Sequence, residues 1–203
     1  MIEAKAPAST PRLGFLGGSF DPVHYGHLLI AQDAMEQLEL DAVYFVPSPH
    51  TPLREQAPAV DGVHRVAMLD LALQGDAQLR VEDCEMRQQA PVYTADTLAR
   101  LRRKHAHARL FWIVGADHVA KFSRWHEPHK LLELAEVIVV GRPGKALTVP
   151  TGFPPERFHL VNGHPFAISS SELRQRFAEG RGARFFLPPA VEAYIETHRL
   201  YCD

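Results

Sequence analysis

The stretch "GGSFDPVHYGHLLIAQDAM", Gly17 to Met35, sets two histidines three residues apart just behind a pair of glycines. A glycine turn after a strand lets a ligand approach bare backbone, and the N–H groups that open the next helix attract anions. On a helix, the His24/His27 spacing places both imidazoles on one face near its N-terminus. Three readings fit the pair: two half-buried histidines at a helix start, a zinc pair, or two imidazoles that donate to polyphosphate oxygens as charge builds on them. The zinc reading lacks both the i, i+4 spacing of HExxH and a further ligand cluster. The dinucleotide fingerprint GxGxxG and the P-loop GxxxxGK[ST] are absent. Gly26, between the histidines, runs against helix propensity by about 1 kcal/mol relative to Ala. A bulky ligand against a bare Cα would explain it.

The elements that must hold these residues follow from apolar patterning. "RLGFLGG" (Arg12 to Gly18) reads as a buried strand that stops in a turn, and His24 to Leu38 reads as a helix with Leu28, Ala31, Met35 and Leu38 on one side. The exchange continues with strand Ala42–Ser48, helix His64–Gln74, strand "LRVEDCE", helix Thr94–His105 and strand Arg109–Asp117. A helical region through Ala135 and the strand "EVIVVG" come next. Such alternation predicts an α/β fold, a Rossmann-like, doubly wound parallel sheet with helices on both faces. From Gly141 to Pro165 the chain is rich in Pro and Gly, and only "RFHLV" reads as a strand. "SSSELRQRFAEG" then carries a helix start and a Gly stop, and "PAVEAYIETHRLY" opens with Pro in its first turn.

Composition narrows the class of protein. The 203 residues are 46% hydrophobic and 23% charged with a formal charge of -2, which describes an ordinary soluble domain with no surface for a polyanion, so nucleic acid is disfavoured as a partner. Residues 1–11 read as an N-terminal tail and 12–203 as a single domain. The tail lacks the apolar core of a signal peptide and no stretch is long enough to span a bilayer, so a cytoplasmic protein away from membranes is expected. Cys84 and Cys202 form neither a disulfide framework nor a CxxC site, and read as a buried small side chain and a loose C-terminal thiol.

"GGSFDPVHYGHL" resembles the HxGH signature of the nucleotidylyltransferases, in the form GG(S/T)FDPxHxGH found in the bacterial nicotinate-nucleotide adenylyltransferases. The superfamily's second signature, ISSxxxR, appears as "ISSSELR", Ile168 to Arg174. Between them, "YTADTL" is similar to the family's SYTxxTL, "GADHVAKFSRW" to its GxDxxxxxxxW, and "GRPG" and "LPPAVEAYIETHRLY" also fit. Two departures stand out: Leu53-Arg54 in "TPLRE" replaces a His-Lys pair, and Val92 replaces the Ser before Tyr93.

The resemblance implies a nucleotidylyltransferase-type fold and transfer of an adenylyl group from ATP, with Mg²⁺ as its companion, to nicotinate mononucleotide in NAD biosynthesis. It implies that Gly17, Gly18, Ser19 and Phe20 offer backbone groups to ATP, and that His24 and His27 contact its phosphates. His27 would serve the transition state, while Ser169, Ser170, Ser171 and Arg174 would hold the β- and γ-phosphates. "SSSE" is also an ordinary capping box, and one geometry serves both ends. On the acceptor side, Trp125 would stack on the pyridine ring, or is core. Tyr93 and Thr94 would present backbone N–H groups to the carboxylate. Asp117 would hold a ribose hydroxyl, or caps a helix, and Arg54 and Arg142 are candidates for the acceptor phosphate or carboxylate. Adenylyl transfer to phosphopantetheine or nicotinamide mononucleotide and a non-catalytic nucleotide-binding module are the competing expectations. A monomer and a homo-oligomer are both compatible with the sequence.

Overall fold

The computed structural model describes residues 10–49, 57–88, 91–141 and 147–202. Strands β1 (Arg12–Gly18), β2 (Ala42–Pro47), β3 (Leu79–Val81), β4 (Arg109–Gly115), β5 (Glu136–Val140) and β6 (Phe158–Val161) form one sheet. Their order is β3-β2-β1-β4-β5-β6 and every pairing is parallel. The sheet therefore reverses direction of growth between β1 and β4, where a doubly wound fold opens its ligand crevice.

The apolar runs explain the layering. Along β4, Phe111 and Ile113 join one core cluster, while Leu110, Trp112 and Val114 join the other, as alternation on a strand buried on both faces demands. The first face is covered by α1 (Tyr25–Gln37), α2 (Gly62–Ala72), α6 (Ser170–Ala178) and α7 (Pro189–Thr197), through Ala31, Met68, Leu173 and Ile195. The second is covered by α3 (Thr94–Lys104), α4 (Ala116–Val119) and α5 (Pro128–Leu134), through Leu98, Val119 and Leu131. No described helix is long and apolar enough to cross a membrane.

Three elements differ from the sequence reading. Helix α1 begins at Tyr25, with His24 as an extended N-cap residue. Strand β3 ends at Val81 instead of running through Glu85. Its acidic continuation leaves the sheet because Glu82 pairs with Lys104 at 2.5 Å and Glu85 accepts from the Thr97 hydroxyl at 2.7 Å, both from α3. The helical region before Ala135 breaks into α4, a 3-10 turn (Phe122–Arg124) and α5, with Glu127 in the left-handed region immediately before Pro128. Cys84, in the turn after β3, is half-buried; burial and the adjoining Glu82 and Glu85 push its thiol up to about 12. Near neutrality that favours the thiol over the thiolate.

One buried cation ties the sheet's carboxyl edge together. Arg65 of α2, only 2% exposed, donates from Nη1 to the Ser19 and Ser48 carbonyls, both at 2.7 Å. Burial lowers its basicity and the nearby Asp21 charge opposes that shift. Arg65→Met would leave two buried carbonyls without this donor, so the unfolding free energy should fall by about 3 kcal/mol. Urea unfolding measures it, and Arg65→Lys, which keeps an ammonium donor, should lose less.

Candidate active site

Gly17 and Gly18 close β1, and both are explained by what packs on them. A Cβ on Gly17 would lie 2.5 Å from the Trp112 ring, and one on Gly18 would lie 3.0 Å from the Phe20 ring. The bare Cα atoms thus serve two aromatic rings, while the backbone of both glycines faces the cleft. Phe20 is buried with a left-handed backbone and sets its ring edge-on to His27, centroids 5.0 Å apart. Asp21, 2% exposed, accepts from the Ala59 N–H at 2.7 Å and the Tyr201 hydroxyl at 2.8 Å.

The two histidines meet, although not as two residues of one helix. His24 caps α1, and its backbone N–H donates to Nδ1 of His27 at 3.3 Å. The rings stack with centroids 3.8 Å apart. Because Nδ1 of His27 accepts, the neutral ring carries its proton on Nε2, which makes that atom the donor. Gly26 has a local explanation too. A Cβ there would stand 3.0 Å from Nδ1 of His24, so the bare Cα makes room for the imidazole, and no ligand is needed to account for it.

The second signature arrives from far down the chain. Ser169 caps α6, its hydroxyl accepting from the Glu172 N–H at 3.2 Å. The Ser170 hydroxyl donates to the Pro22 carbonyl at 3.0 Å, and Arg174 donates from Nη1 to the Asp21 carbonyl at 2.8 Å and from Nη2 to Ser171 Oγ at 3.3 Å. The segment leading into α6 is anchored by Asp33 of α1, whose buried carboxylate accepts from the His164 N–H at 2.9 Å and pairs with its Nδ1 at 2.6 Å. These bonds join the starts of α1 and α6 directly.

A cleft of about 810 Å³ runs from this junction across the carboxyl edge of β1 and β4. Gly17, Gly18, Ser19, His24, His27, Ser169, Ser170 and Ser171 line one side. Tyr93, Thr94, Asp117 and Trp125 line the other. Tyr93 caps α3 and stacks on His126 at 4.2 Å, so the first N–H groups of α3 stand at the cleft. Trp125 closes the 3-10 turn, half-buried, with its ring tilted against Phe122. Asp117 lies inside α4 and is not its cap, which is Gly115.

Two expected residues are not on the cleft wall. The Phe20 side chain is taken into the core, and the Arg174 guanidinium is turned to Asp21 and Ser171. Arg54 and Arg142 lie outside the described residues. The wall also holds residues that the sequence reading passed over: Ser48, Glu85, Lys121 and Arg124. Burial raises the Glu85 carboxyl above its ordinary value, opposed by the Thr97 and Ser48 hydroxyls. Lys121 and Arg124 carried a signal in their closeness to Trp125; Glu85 carried none. Among the described residues no group of three or more His, Cys, Asp or Glu could hold a metal ion. Beside the carboxylates Glu85, Asp117 and Glu127, the wall carries hydroxyls, backbone N–H groups, imidazoles and cations, which together are a donor set for anions.

Comparison with known proteins agrees with this arrangement. A profile of the cytidylyltransferase-like family matches residues 15–176. A protein of Thermomicrobium roseum named "probable nicotinate-nucleotide adenylyltransferase" is 40% identical, over 94% of this chain and 91% of its own. The nicotinate-nucleotide adenylyltransferase of Bacillus subtilis is 35% identical, over 94% of this chain and 98% of its own. Among solved structures, the Plasmodium falciparum nicotinic acid mononucleotide adenylyltransferase complexed with NaAD superposes with a TM-score of 0.74. That match covers 94% of this chain and 97% of the other at 20% identity, a likeness of fold. The chain belongs to the cytidylyltransferase-like family and, within it, to the nicotinate-nucleotide adenylyltransferases.

Proposed function

We propose that the protein transfers the adenylyl group of ATP to nicotinate mononucleotide, releasing pyrophosphate and forming nicotinate adenine dinucleotide for NAD biosynthesis. The observation that carries this reading is the convergence of His24, His27 and Ser169 to Ser171 on one side of a cleft whose other side holds Trp125 and the start of α3. The named activity of relatives that match 94% of the chain supports the same reaction.

In this reaction an oxygen of the mononucleotide 5′-phosphate attacks the α-phosphorus of ATP, a new P–O–P bridge forms, and the bond to the bridging oxygen of the β-phosphate breaks. The nucleophile is already anionic, so no protein nucleophile or strong base is required. The protein's work is alignment of two anions and stabilisation of charge. In this reading His27 Nε2–H donates to the α-phosphate, with the His24 ring stacked against it. The N-terminal N–H groups and hydroxyls of α6 serve the departing pyrophosphate. A divalent cation such as Mg²⁺ would accompany ATP and would neutralise charge on the leaving group, and among the described residues no cluster of acidic or imidazole side chains stands ready to hold it.

On the acceptor side, Trp125 offers a face for the pyridine ring, and the first N–H groups of α3 offer an anion site for its carboxylate. That pairing favours nicotinate over nicotinamide, and an aromatic acceptor over phosphopantetheine. A side-by-side assay of pyrophosphate release with ATP and each of the three acceptors tests the reading. Nicotinate mononucleotide is the expected best substrate, and silence with it alone would overturn the proposal.

Two substitutions separate the roles. His27→Ala should lower kcat by roughly 10²–10³-fold while calorimetry still detects ATP binding. Near-normal turnover would remove the assigned role. Trp125→Ala should raise KM for the mononucleotide by about tenfold and leave KM for ATP nearly unchanged; steady-state kinetics with each substrate varied in turn reads the difference.

A further inference from the structure

We propose that Tyr201 is a positioning residue for adenylyl transfer, acting through Asp21 on the loop that carries His24 and on the guanidinium of Arg174. The proposal rests on the adenylyl-transfer reading. Tyr201 lies 180 residues from Asp21 in sequence, yet its hydroxyl donates to Asp21 Oδ1 at 2.8 Å. The Ala59 N–H takes Oδ2 at 2.7 Å. With both oxygens engaged, Oδ2 stands 3.7 Å from Arg174 Nη1, and that nitrogen donates instead to the Asp21 carbonyl at 2.8 Å. The other cation facing Asp21, Arg65, is committed to the Ser19 and Ser48 carbonyls.

The way Tyr201 is held suits this task. Arg199 and Tyr201 both adopt left-handed backbone conformations, with φ of 49° and 62°, which non-glycine residues rarely adopt. Between them Leu200 is buried and its N–H donates to the Ile195 carbonyl at 3.0 Å, fixing the turn to α7. The Tyr201 ring stacks on Phe177 of α6, centroids 6.2 Å apart. The side chain is thus gripped by the helix that bears Arg174 while its hydroxyl reaches the loop that bears His24. Without the hydroxyl, Oδ1 loses its donor and the carboxylate draws the Arg174 guanidinium into a closer ion pair. The Asp21 carbonyl then loses its Arg174 donor, and a bond that ties α6, with Ser169 to Ser171 at its start, to the loop that carries His24 is released.

The test is Tyr201→Phe in the full chain, which keeps the ring on Phe177 and removes only the hydroxyl. KM for ATP should rise by about tenfold, the worth of one charge-assisted hydrogen bond, with KM for nicotinate mononucleotide nearly unchanged. Calorimetry with a non-hydrolysable ATP analogue should show the same loss. A general structural role would instead lower the melting midpoint and raise both KM values together, and that result would overturn the proposal. In an Asp21→Asn background, Tyr201→Phe should add little further loss, whereas fully additive effects would also overturn it. If the wild-type protein released no pyrophosphate from ATP and nicotinate mononucleotide, the adenylyl-transfer reading would fall. The analogue affinities of wild type and Tyr201→Phe would still decide whether Tyr201 governs the ATP side.

Discussion

The site depends on one constraint: where β1 ends, buried backbone polar groups leave the sheet and must be satisfied by something else. The donors come from almost every later part of the chain. The Gly18 carbonyl takes the Ser48 N–H, Ser19 takes Arg65, Asp21 takes Arg174 and Pro22 takes the Ser170 hydroxyl. The Tyr25 N–H in turn donates to the Phe186 carbonyl at 3.0 Å. A segment that looks like a glycine-rich loop is therefore bound on all sides, and the rings on Gly17 and Gly18 fill what remains. Catalysis by positioning and electrostatics needs this kind of fixed scaffold, because dipoles that must turn toward the developing charge lose most of their worth.

Sheet order explains why two substrates can be served at once. Helices α1 and α6 pack on one face, and α3 and α4 pack on the other. At the β1/β4 junction the starts of these helices converge on the carboxyl edge from opposite sides. The two walls of the cleft thus belong to different layers, with the edge of the sheet between them, and in the proposed reaction one would hold the triphosphate and the other the acceptor.

Much of this was legible in the sequence, for reasons that differ by element. Strand β4 was clear because "RLFWIVG" is apolar on both faces, and α6 because Ser169 is a true cap. Strand β3 is shorter than the reading of "LRVEDCE" because alternation holds only through "LRVE", while Glu82 and Glu85 are bound by side chains of α3 that no local pattern displays. The signature residues His24, His27 and Ser169 to Ser171 were identified and do share a cleft. Their supports were not legible. A buried Arg65, Asp21 under Tyr201 and Asp33 under His164 are partnerships over 46, 180 and 131 residues. Periodicity and spacing carry no information at that range. Gly26 was misread because its steric neighbour is the side chain of its own motif.

The bond between Asp21 and Tyr201 also bears on how the protein comes to be. The loop after β1 is synthesised 180 residues ahead of the hydroxyl that it bonds. Contacts of such separation form late, after the entropy of closing a long loop has been overcome. A chain still on the ribosome can pack β1 against β2 and yet lack a finished nucleotide site. Such a chain would hold ATP more weakly until α7 and the turn beyond it dock, so half-built molecules would compete less for the nucleotide.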